Sequence, residues 1–335
     1  MKYKVLGNTG LKVSELCLGT MTFGGKGFFK VMGNLGQDSV DQLVKKAVDS
    51  GINFIDTANV YSEGLSEELT GQAIRNLGLN RDDLIVATKV RGAMGTGPND
   101  QGLTRKHILQ QVEASLKRLN TDYIDLYQIH SFDSITPFEE TLNTLDDLVR
   151  SGKVRYIGAS NLSAWQLMKA VGYSQYHDKA KFVSMQSYYS LAGRDIEREL
   201  IPLLDDQKIG LMVWSPLAAG LLSGKYNRNG ESESGGRLKN FASFPVDKAR
   251  AFNILDILQP MAEAKGATVA QLSLSWLLHQ STVTSVIIGA NKIEQLEDNL
   301  QSVDIVFTAE ELKVLDEVSK LPVEYPGWML ERSNR

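Results

Sequence analysis

Eight short apolar runs alternate with longer amphipathic segments along most of the 335-residue sequence. Each run is rich in valine, isoleucine and leucine and shows no regular alternation of apolar and polar positions. Continuous apolar runs of this length are typical of parallel strands that are covered by helices. The eight runs are Leu16–Gly19, Asn53–Thr57, Leu84–Val90, Ile124–His130, Tyr156–Asn161, Phe182–Gln186, Leu211–Pro216 and Thr284–Gly289. The sequence therefore predicts an α/β fold built around a parallel sheet.

The segments between the runs carry the signals of helices. In Asp38–Ser50 the apolar residues recur at intervals of three and four, as on one face of a helix. Capping boxes mark three other helix starts, at Thr136–Glu139 with Pro137 in the first helical position, at Ser163–Gln166 and at Thr308–Glu311. Eight strand–helix units favour a closed (β/α)8 barrel, the TIM barrel. An open doubly wound sheet would instead place a G-x-G-x-x-G fingerprint after the first strand, and "LGTMTFGGKGFF" lacks it.

Two additions to the barrel are predicted. Lys2–Val5 and Leu11–Val13 flank "LGNTG" and indicate an N-terminal β-hairpin, which we expect to plug the bottom of the barrel. A long segment, Leu217 to Pro245, follows the seventh strand, and loops of that length are usually functional. No linker or charge run divides the chain, so residues 1–335 are expected to form one domain.

Composition excludes several classes of protein. With 42% hydrophobic and 23% charged residues the chain is able to bury a large core, and its net charge of -4 gives no reason to expect nucleic acid or an anionic membrane as partner. The single cysteine, Cys17, rules out an internal disulfide and indicates a reducing compartment. Four histidines without a cysteine cluster make a metal site unexpected. With no signal-peptide pattern and no run of about 20 apolar residues, a cytoplasmic protein is expected.

Four chemically active side chains fall at the carboxyl ends of adjacent predicted strands, where barrel active sites lie. Asp56 ends the second strand and Tyr61 follows it, Lys89 lies near the end of the third, and His130 ends the fourth. An ammonium group lowers the pKa of a nearby phenol, and a carboxylate keeps the ammonium charged. We therefore predict that Tyr61 acts as a general acid for a carbonyl oxygen that gains charge during hydride addition, with His130 orienting that oxygen. Taken singly, helix capping, a surface lysine and a core histidine are the alternative interpretations.

The later strands end in groups of different chemistry. Ser160, Asn161 and Gln186 supply neutral hydrogen-bonding groups suited to a carboxamide such as that of nicotinamide. Trp214 ends the seventh strand, where its ring could stack on a flat heterocycle, although a core tryptophan is the alternative.

A phosphate site is predicted after the eighth strand. Asn291 and Glu294 resemble a capping box, so that backbone amides of residues 289–292 would face the rim at a helix start. Lys225, Arg237 and Lys292 could add positive charge, and a solvated surface lysine is the alternative interpretation of Lys292.

Taken together, these motifs resemble the aldo-keto reductase superfamily over essentially the whole chain, and most closely the bacterial branch that is similar to potassium-channel β subunits. The stretches that carry the resemblance are "DTANVYSEGLSEELTG", "TKV", "YQIH", "IGASN", "MQSYYSL", "WSPLAAGLLSGKY" and "IIGANKIEQLEDN". The resemblance implies that Asp56, Tyr61, Lys89 and His130 form a catalytic tetrad. It also implies hydride transfer from a nicotinamide dinucleotide, with Tyr61 donating the proton.

The resemblance further implies a set of dinucleotide contacts. Ser160, Asn161, Gln186 and Trp214 would hold the nicotinamide, and Thr20 and Met21 would lie beside its ribose. Ser215, Leu217, Ala219, Lys225 and Arg237 would hold the diphosphate side. Gly289, Asn291, Gln295, Asp298 and Asn299 would hold the adenosine end.

Some positions depart from the family pattern. Many relatives carry basic residues and serine around positions 290–292 and arginine near 295, whereas this chain has Ala290, Asn291, Lys292 and Gln295. The expected preference for NADP over NAD therefore depends largely on Lys292. Ser131-Phe132-Asp133 follows His130 in place of the usual tryptophan or arginine, and Asp298 replaces a more common glutamate.

Three functions are weighed on this basis. The first is an NAD(P)H-dependent reductase of aldehydes or ketones, including sugar or aromatic carbonyls, with NADP as the expected dinucleotide and NAD as the alternative. The second is a redox-sensing regulatory subunit that binds the dinucleotide, as channel β subunits do; His130 favours the enzyme, because such subunits often lack this histidine. The third is a lyase or isomerase in which Lys89 forms a Schiff base.

Overall fold

The computed structural model describes residues 1–226, 228 and 246–333, and it contains two sheets. Strands β1 (Tyr3–Val5) and β2 (Lys12–Ser14) pair antiparallel in a hairpin. Eight further strands form a closed barrel in the order β10-β3-β4-β5-β6-β7-β8-β9, and every neighbouring pair is parallel. They are β3 (Leu16–Gly19), β4 (Phe54–Asp56), β5 (Ile85–Val90), β6 (Ile124–Ile129), β7 (Val154–Ser160), β8 (Phe182–Tyr188), β9 (Gly210–Trp214) and β10 (Val283–Ile288). The predicted TIM barrel is confirmed.

Helices surround the barrel. They are α1 (Gln37–Asp49), α2 (Leu65–Asn76), α3 (Arg105–Leu119), α4 (Phe138–Arg150), α5 (Ala164–Tyr176), α6 (Leu200–Gln207), α7 (Lys248–Lys265), α8 (Val269–Leu278), α9 (Ile293–Leu300), α10 (Ala309–Ser319) and α11 (Gly327–Ser333). The apolar face predicted for α1 is buried, since Val40, Leu43, Val44 and Ala47 all pack in the core. No helix among the described residues is both long and apolar enough to cross a bilayer.

The helix starts divide into those that the sequence predicted and those that it did not. Reciprocal capping boxes form at Ser163–Gln166 and Thr308–Glu311, as expected. The expected box at Thr136–Glu139 is wrong: α4 begins at Phe138 with Pro137 in the N-cap position, and the Thr136 hydroxyl donates to Asp133 Oδ2 at 2.7 Å. A nearby carboxylate therefore takes the hydroxyl that would otherwise have capped the helix.

The hairpin closes the amino-terminal end of the barrel. Leu6, in the turn after β1, is fully buried in a cluster that includes Cys17, Phe54 and Met212 from the barrel strands. Gly7 has a φ of +56°, and a Cβ there would lie 2.2 Å from the carbonyl oxygen of Val183, so only glycine fits this contact. The predicted plug is confirmed.

The long segment after β9 is described only in part. It begins with a 3-10 turn at Ala218–Ser223 and continues as far as Tyr226. Residue 227 and residues 229–245, which include the predicted phosphate ligand Arg237, lie outside the described residues.

Candidate active site

The carboxyl ends of β4, β5 and β6 bring the four predicted catalytic residues together. Asp56 is the last residue of β4, Lys89 lies on β5, His130 directly follows β6, and Tyr61 opens the turn Tyr61–Gly64. Lys89 Nζ donates to Asp56 Oδ2 at 2.5 Å and to Tyr61 Oη at 3.4 Å. The rings of Tyr61 and His130 are 5.8 Å apart in an edge-on arrangement. The carboxyl ends of three successive parallel strands thus bring together a carboxylate, a phenol, an ammonium and an imidazole.

Asp56 is held by more partners than the sequence indicated. Its Oδ1 accepts from Gln128 Nε2 at 3.0 Å and from Gln186 Nε2 at 2.9 Å, while its Oδ2 accepts from Lys89. Sequence reasoning missed Gln128. A usable signal exists, because Gln128 precedes His130 by two positions in a strand and side chains two apart lie on the same face.

Electrostatics fix the protonation states of three of these groups. Burial raises the pKa of Tyr61 by more than the Lys89 ammonium lowers it, so the net shift is upward. The expectation that Lys89 would lower the pKa of Tyr61 overall is therefore wrong for this structure, because a phenolate is costly to bury. Burial lowers the pKa of Lys89, but Asp56 and Tyr61 raise it by more. Burial, with Lys89 and Arg91 nearby, lowers the pKa of His130 to about 3, so its imidazole is neutral at pH 7.

The turn that carries Tyr61 has an unusual backbone. Ser62, Glu63 and Gly64 have φ angles of 49°, 59° and 93° in succession, a region that non-glycine residues rarely adopt. The Ser62 hydroxyl stabilises the turn by donating to the carbonyl oxygen of Phe23 at 2.9 Å and accepting from the N–H of Gly25 at 3.0 Å. Residue conformations of this kind concentrate at functional sites.

A cavity of about 330 Å³ opens beside the tetrad. Tyr61, Asp56 and His130 are in its wall, and Lys89 is fully buried behind them. The other predicted site residues in the wall are Thr20, Met21, Asn161, Gln186, Trp214, Ser215, Ala219 and Gly289. The wall also includes Phe28, Phe29 and Met32, which sequence reasoning missed, and the Phe29 ring packs 5.2 Å from that of Tyr61.

Asn161 links the predicted nicotinamide groups to the tetrad. It has a φ of 54°, its Nδ2 donates to the carbonyl oxygen of His130 at 3.0 Å, and its Oδ1 accepts from Trp214 Nε1 at 3.0 Å. Ser160 is buried, and its hydroxyl donates to the carbonyl oxygen of Gln186 at 3.0 Å. The ends of β6, β7, β8 and β9 are therefore joined by side chains at this rim.

Of the residues predicted at the adenosine end, Gly289 is in the cavity wall and the others lie away from it. Asn291 Nδ2 donates to the carbonyl oxygen of Met32 at 3.2 Å, and the N–H of Asn291 donates to Gln295 Oε1 at 2.9 Å. The expected pairing of Asn291 with Glu294 is therefore wrong, because α9 begins at Ile293 and Gln295 makes the contact.

The other residues predicted to hold the dinucleotide have varied surroundings. Asp298 accepts from Thr268 Oγ1 and from Gln271 Nε2, the latter at 2.8 Å, and Asn299 is buried. Leu217 is half-buried, whereas Lys225 and Lys292 are exposed. Within the described part of the chain, no group of three or more histidine, cysteine, aspartate or glutamate residues could hold a metal ion.

The fold and this site define a barrel protein with a tyrosine, lysine, aspartate and histidine site at the carboxyl ends of its strands. Residues 15–320 match the model of the Aldo/keto reductase family, and the chain belongs to that family. Members of this family are oxidoreductases that act on the carbonyl groups of small molecules.

Three relatives illustrate the range of the family. A probable voltage-gated potassium channel subunit beta of Arabidopsis thaliana is 38% identical over 91% of this chain and 92% of its own length. The uncharacterized oxidoreductase YrpG of Bacillus subtilis is 37% identical over 95% of this chain and 96% of its own. A putative aryl-alcohol dehydrogenase of Schizosaccharomyces pombe is 36% identical over 94% of this chain and 95% of its own.

Proposed function

We propose that this chain reduces aldehydes or ketones to alcohols, with NADPH as the hydride source and Tyr61 as the proton donor. The observation that carries the proposal is the placement of the Tyr61 hydroxyl. It lies 3.4 Å from Lys89 Nζ, in a cavity wall that also includes His130. A carbonyl oxygen in this cavity has both a proton donor and a second polar group beside it.

The chemistry of the cavity wall fits a nicotinamide dinucleotide. Asn161 and Gln186 offer amide groups and Trp214 a flat ring, and these would hold the nicotinamide with Ser160 behind them. We assign Thr20 and Met21 to the ribose; Ser215, Leu217, Ala219, Lys225 and Arg237 to the diphosphate; and Gly289, Asn291, Lys292, Gln295, Asp298 and Asn299 to the adenosine end. When bound, the dinucleotide supplies a hydride to the carbonyl carbon.

The tetrad handles the proton. Because burial raises the pKa of Tyr61, its hydroxyl is protonated at neutral pH and available to donate. As the hydroxyl gives up its proton, the Lys89 ammonium stabilises the developing phenolate, and Asp56 keeps Lys89 charged. His130, with its neutral imidazole, donates an N–H to the same substrate oxygen and orients it.

NADP is assigned in preference to NAD because of Lys292. This residue is exposed directly before α9, where an ammonium could pair with a 2′-phosphate. The Lys292→Ala variant is expected to lose most of the preference for NADPH over NADH in dissociation constants measured by fluorescence titration. Lys181→Ala, at another exposed lysine, is the control and should keep it. An unchanged preference in Lys292→Ala would refute the assignment.

The apolar part of the wall favours aromatic over sugar carbonyls. Phe28, Phe29 and Met32 line the cavity beside Tyr61, and their side chains offer no strong hydrogen-bonding group to sugar hydroxyls. The relative from Schizosaccharomyces pombe that is named a putative aryl-alcohol dehydrogenase supports the same substrate class.

The second candidate is a regulatory subunit that binds the dinucleotide and senses redox state. It is supported by the relatives from Arabidopsis thaliana and Oryza sativa that are named as probable potassium channel β subunits, each 38% identical. His130 and the adjacent cavity favour the enzyme.

One measurement separates the two candidates. With NADPH and benzaldehyde both in large excess over the chain, the enzyme is expected to oxidise many equivalents of NADPH per chain, followed by absorbance. Xylose, used in parallel, is expected to react far more slowly. Oxidation of no more than one equivalent with a panel of carbonyl compounds would refute the enzyme and favour the regulatory subunit.

A further inference from the structure

Gln128 is a fully buried amide between the catalytic carboxylate and the predicted nicotinamide ligand. It lies on β6, beside Lys89 in the β5–β6 register, and is absent from the cavity wall. Its Nε2 donates to Asp56 Oδ1 at 3.0 Å, and its Oε1 accepts from Gln186 Nε2 at 3.3 Å. One residue thus contacts both partners without reaching the space where ligands would bind.

The directions of these hydrogen bonds follow from the chemistry of the groups. An ionised carboxylate only accepts, so both glutamines must turn their amide nitrogens toward Asp56. Gln128 consequently presents its oxygen to Gln186, whose nitrogen donates to Asp56 at 2.9 Å and to Gln128 at 3.3 Å. With its nitrogen engaged by Asp56 and Gln128, Gln186 has its amide oxygen left as the group that can accept from a ligand in the cavity whose wall it forms.

The neighbouring strand leaves space for this arrangement. Gly158 pairs with Gln128 in the β6–β7 register. A Cβ at Gly158 would lie 3.1 Å from Gln128 Cγ and 2.5 Å from Ser184 Oγ. A side chain at position 158 would therefore crowd both Ser184 and Gln128.

We propose that Gln128 is a positioning residue that orients the Gln186 amide to accept a hydrogen bond from a ligand carboxamide. A nicotinamide carboxamide has both an N–H donor and a carbonyl acceptor, and an outward Gln186 oxygen pairs with the donor. Gln128 and Asp56 both accept a hydrogen bond from the Gln186 nitrogen. Of these two residues, only Gln128 lies outside the proposed catalytic tetrad. The inference depends on the proposed function, since it takes the ligand to be a nicotinamide dinucleotide.

The test compares two ligands in the Gln128→Met variant, which keeps the length of the side chain and removes both polar groups. The affinity for NADP⁺ is expected to fall about three- to tenfold, the range of one neutral hydrogen bond. The affinity for 2′-phosphoadenosine diphosphate ribose, which lacks the nicotinamide, is expected to change less than about twofold. A general loss of structure would instead lower the affinities for both ligands by the same factor. Gln128→Leu replaces Gln128→Met should the latter not fold.

Two controls isolate the role of Gln128. In a Gln186→Ala background the Gln128→Met change should cause no further loss of NADP⁺ affinity, because the residue acts through Gln186. Tyr127→Phe removes a fully buried hydroxyl without a partner from the adjacent position of β6 and should leave both affinities unchanged.

The outcomes separate this inference from the proposed function. Equal changes for both ligands, no change for either, or losses that add in the Gln186→Ala background would overturn the role of Gln128. A wild-type chain that binds no NADP⁺ would overturn the proposed function, and this inference with it.

Discussion

The two ends of the barrel use the same backbone conformations for different purposes. At the amino-terminal end, Asn120 and Lys208 have φ angles of 52° and 54°, and each ends a helix, where a left-handed residue commonly stops the chain. At the carboxyl end, Ser62, Asn161 and Ala219 have φ angles of 49°, 54° and 56° in loops that follow strands and border the cavity. Left-handed residues at one end terminate helices, and at the other they lie in loops that border the candidate active site.

The interiors of the two ends differ in the same way. Under the hairpin, Leu6, Val13 and Phe54 pack with other apolar side chains. At the opposite end, Asp56 and Lys89 are buried as an ion pair with two glutamine amides. Buried ion pairs contribute little net stability, so this pair fits the proposed catalytic role better than a stabilising one. Mutations at the carboxyl end should therefore reduce turnover, and mutations at the amino-terminal end should reduce stability.

The largest expected effect is the loss of turnover in Tyr61→Phe. Removal of the proton donor is expected to lower kcat by about 10²- to 10⁴-fold, the range of general acid catalysis. The dissociation constant of NADPH should change by no more than a few-fold, and the melting temperature should change little. Steady-state kinetics, fluorescence titration and calorimetry measure the three quantities. Residual turnover near the wild-type rate would refute the assignment of Tyr61 as the proton donor.

The matching experiment at the other end is Leu6→Ala. Leu6 is fully buried beneath the barrel, so truncation should lower the free energy of unfolding by about 2–5 kcal/mol. Turnover per folded chain should remain within about twofold of wild type, because the hairpin lies at the end opposite the tetrad. Urea unfolding and kinetics on the same preparation measure both. A loss of kcat comparable to that of Tyr61→Phe would contradict the expectation that the amino-terminal end of the barrel affects stability and not turnover.

The features that could be predicted from the sequence are those that a local pattern of residues determines. The strands were predicted because each is a continuous apolar run, and Asp56, Lys89 and His130 because each ends or nearly ends such a run. The spacing of Gln128 two positions before His130 indicates the strand face on which it lies, but one polar residue within a strand does not reveal that its partners are a carboxylate and an amide. Phe28 and Phe29 were missed because their segment has no periodicity.

Two wrong predictions have a common physical origin. Thr136 was predicted to cap a helix, but Asp133 takes its hydroxyl. The pKa of Tyr61 was predicted to be lowered by Lys89, but the burial of the whole site raises it by more. In both cases a competing effect outweighs the motif: for Thr136 it is a carboxylate three residues earlier in the chain, and for Tyr61 it is burial in the tertiary structure.

An intermediate effect is expected for the pH dependence of stability. The pKa of His130 is about 3 in the folded chain and about 6.5 when unfolded, so the unfolded state binds the proton first as pH falls. The stability from the neutral imidazole is complete above pH 6.5 and is lost as pH falls from there toward the folded pKa. Between pH 7 and pH 5 the wild type should lose up to about 2 kcal/mol more unfolding free energy than His130→Gln. Parallel urea titrations at the two pH values measure this difference, and equal losses would show that His130 is not buried as a neutral group.

The smallest expected effect comes from replacing one left-handed residue at each end with glycine. Ala219→Gly and Lys208→Gly both relieve an unfavourable φ but give the unfolded chain more freedom, so each should change the unfolding free energy by less than about 1 kcal/mol. Of the two residues, only Ala219 forms part of the cavity wall, and its N–H donates to Ser215 Oγ at 3.0 Å. A more mobile backbone there should weaken NADPH binding by about two- to threefold, the cost of ordering the added freedom of glycine, and Lys208→Gly should leave binding unchanged. Equal NADPH affinities for the two variants would mean that strain at the carboxyl end, like that at the other, serves only to turn the chain.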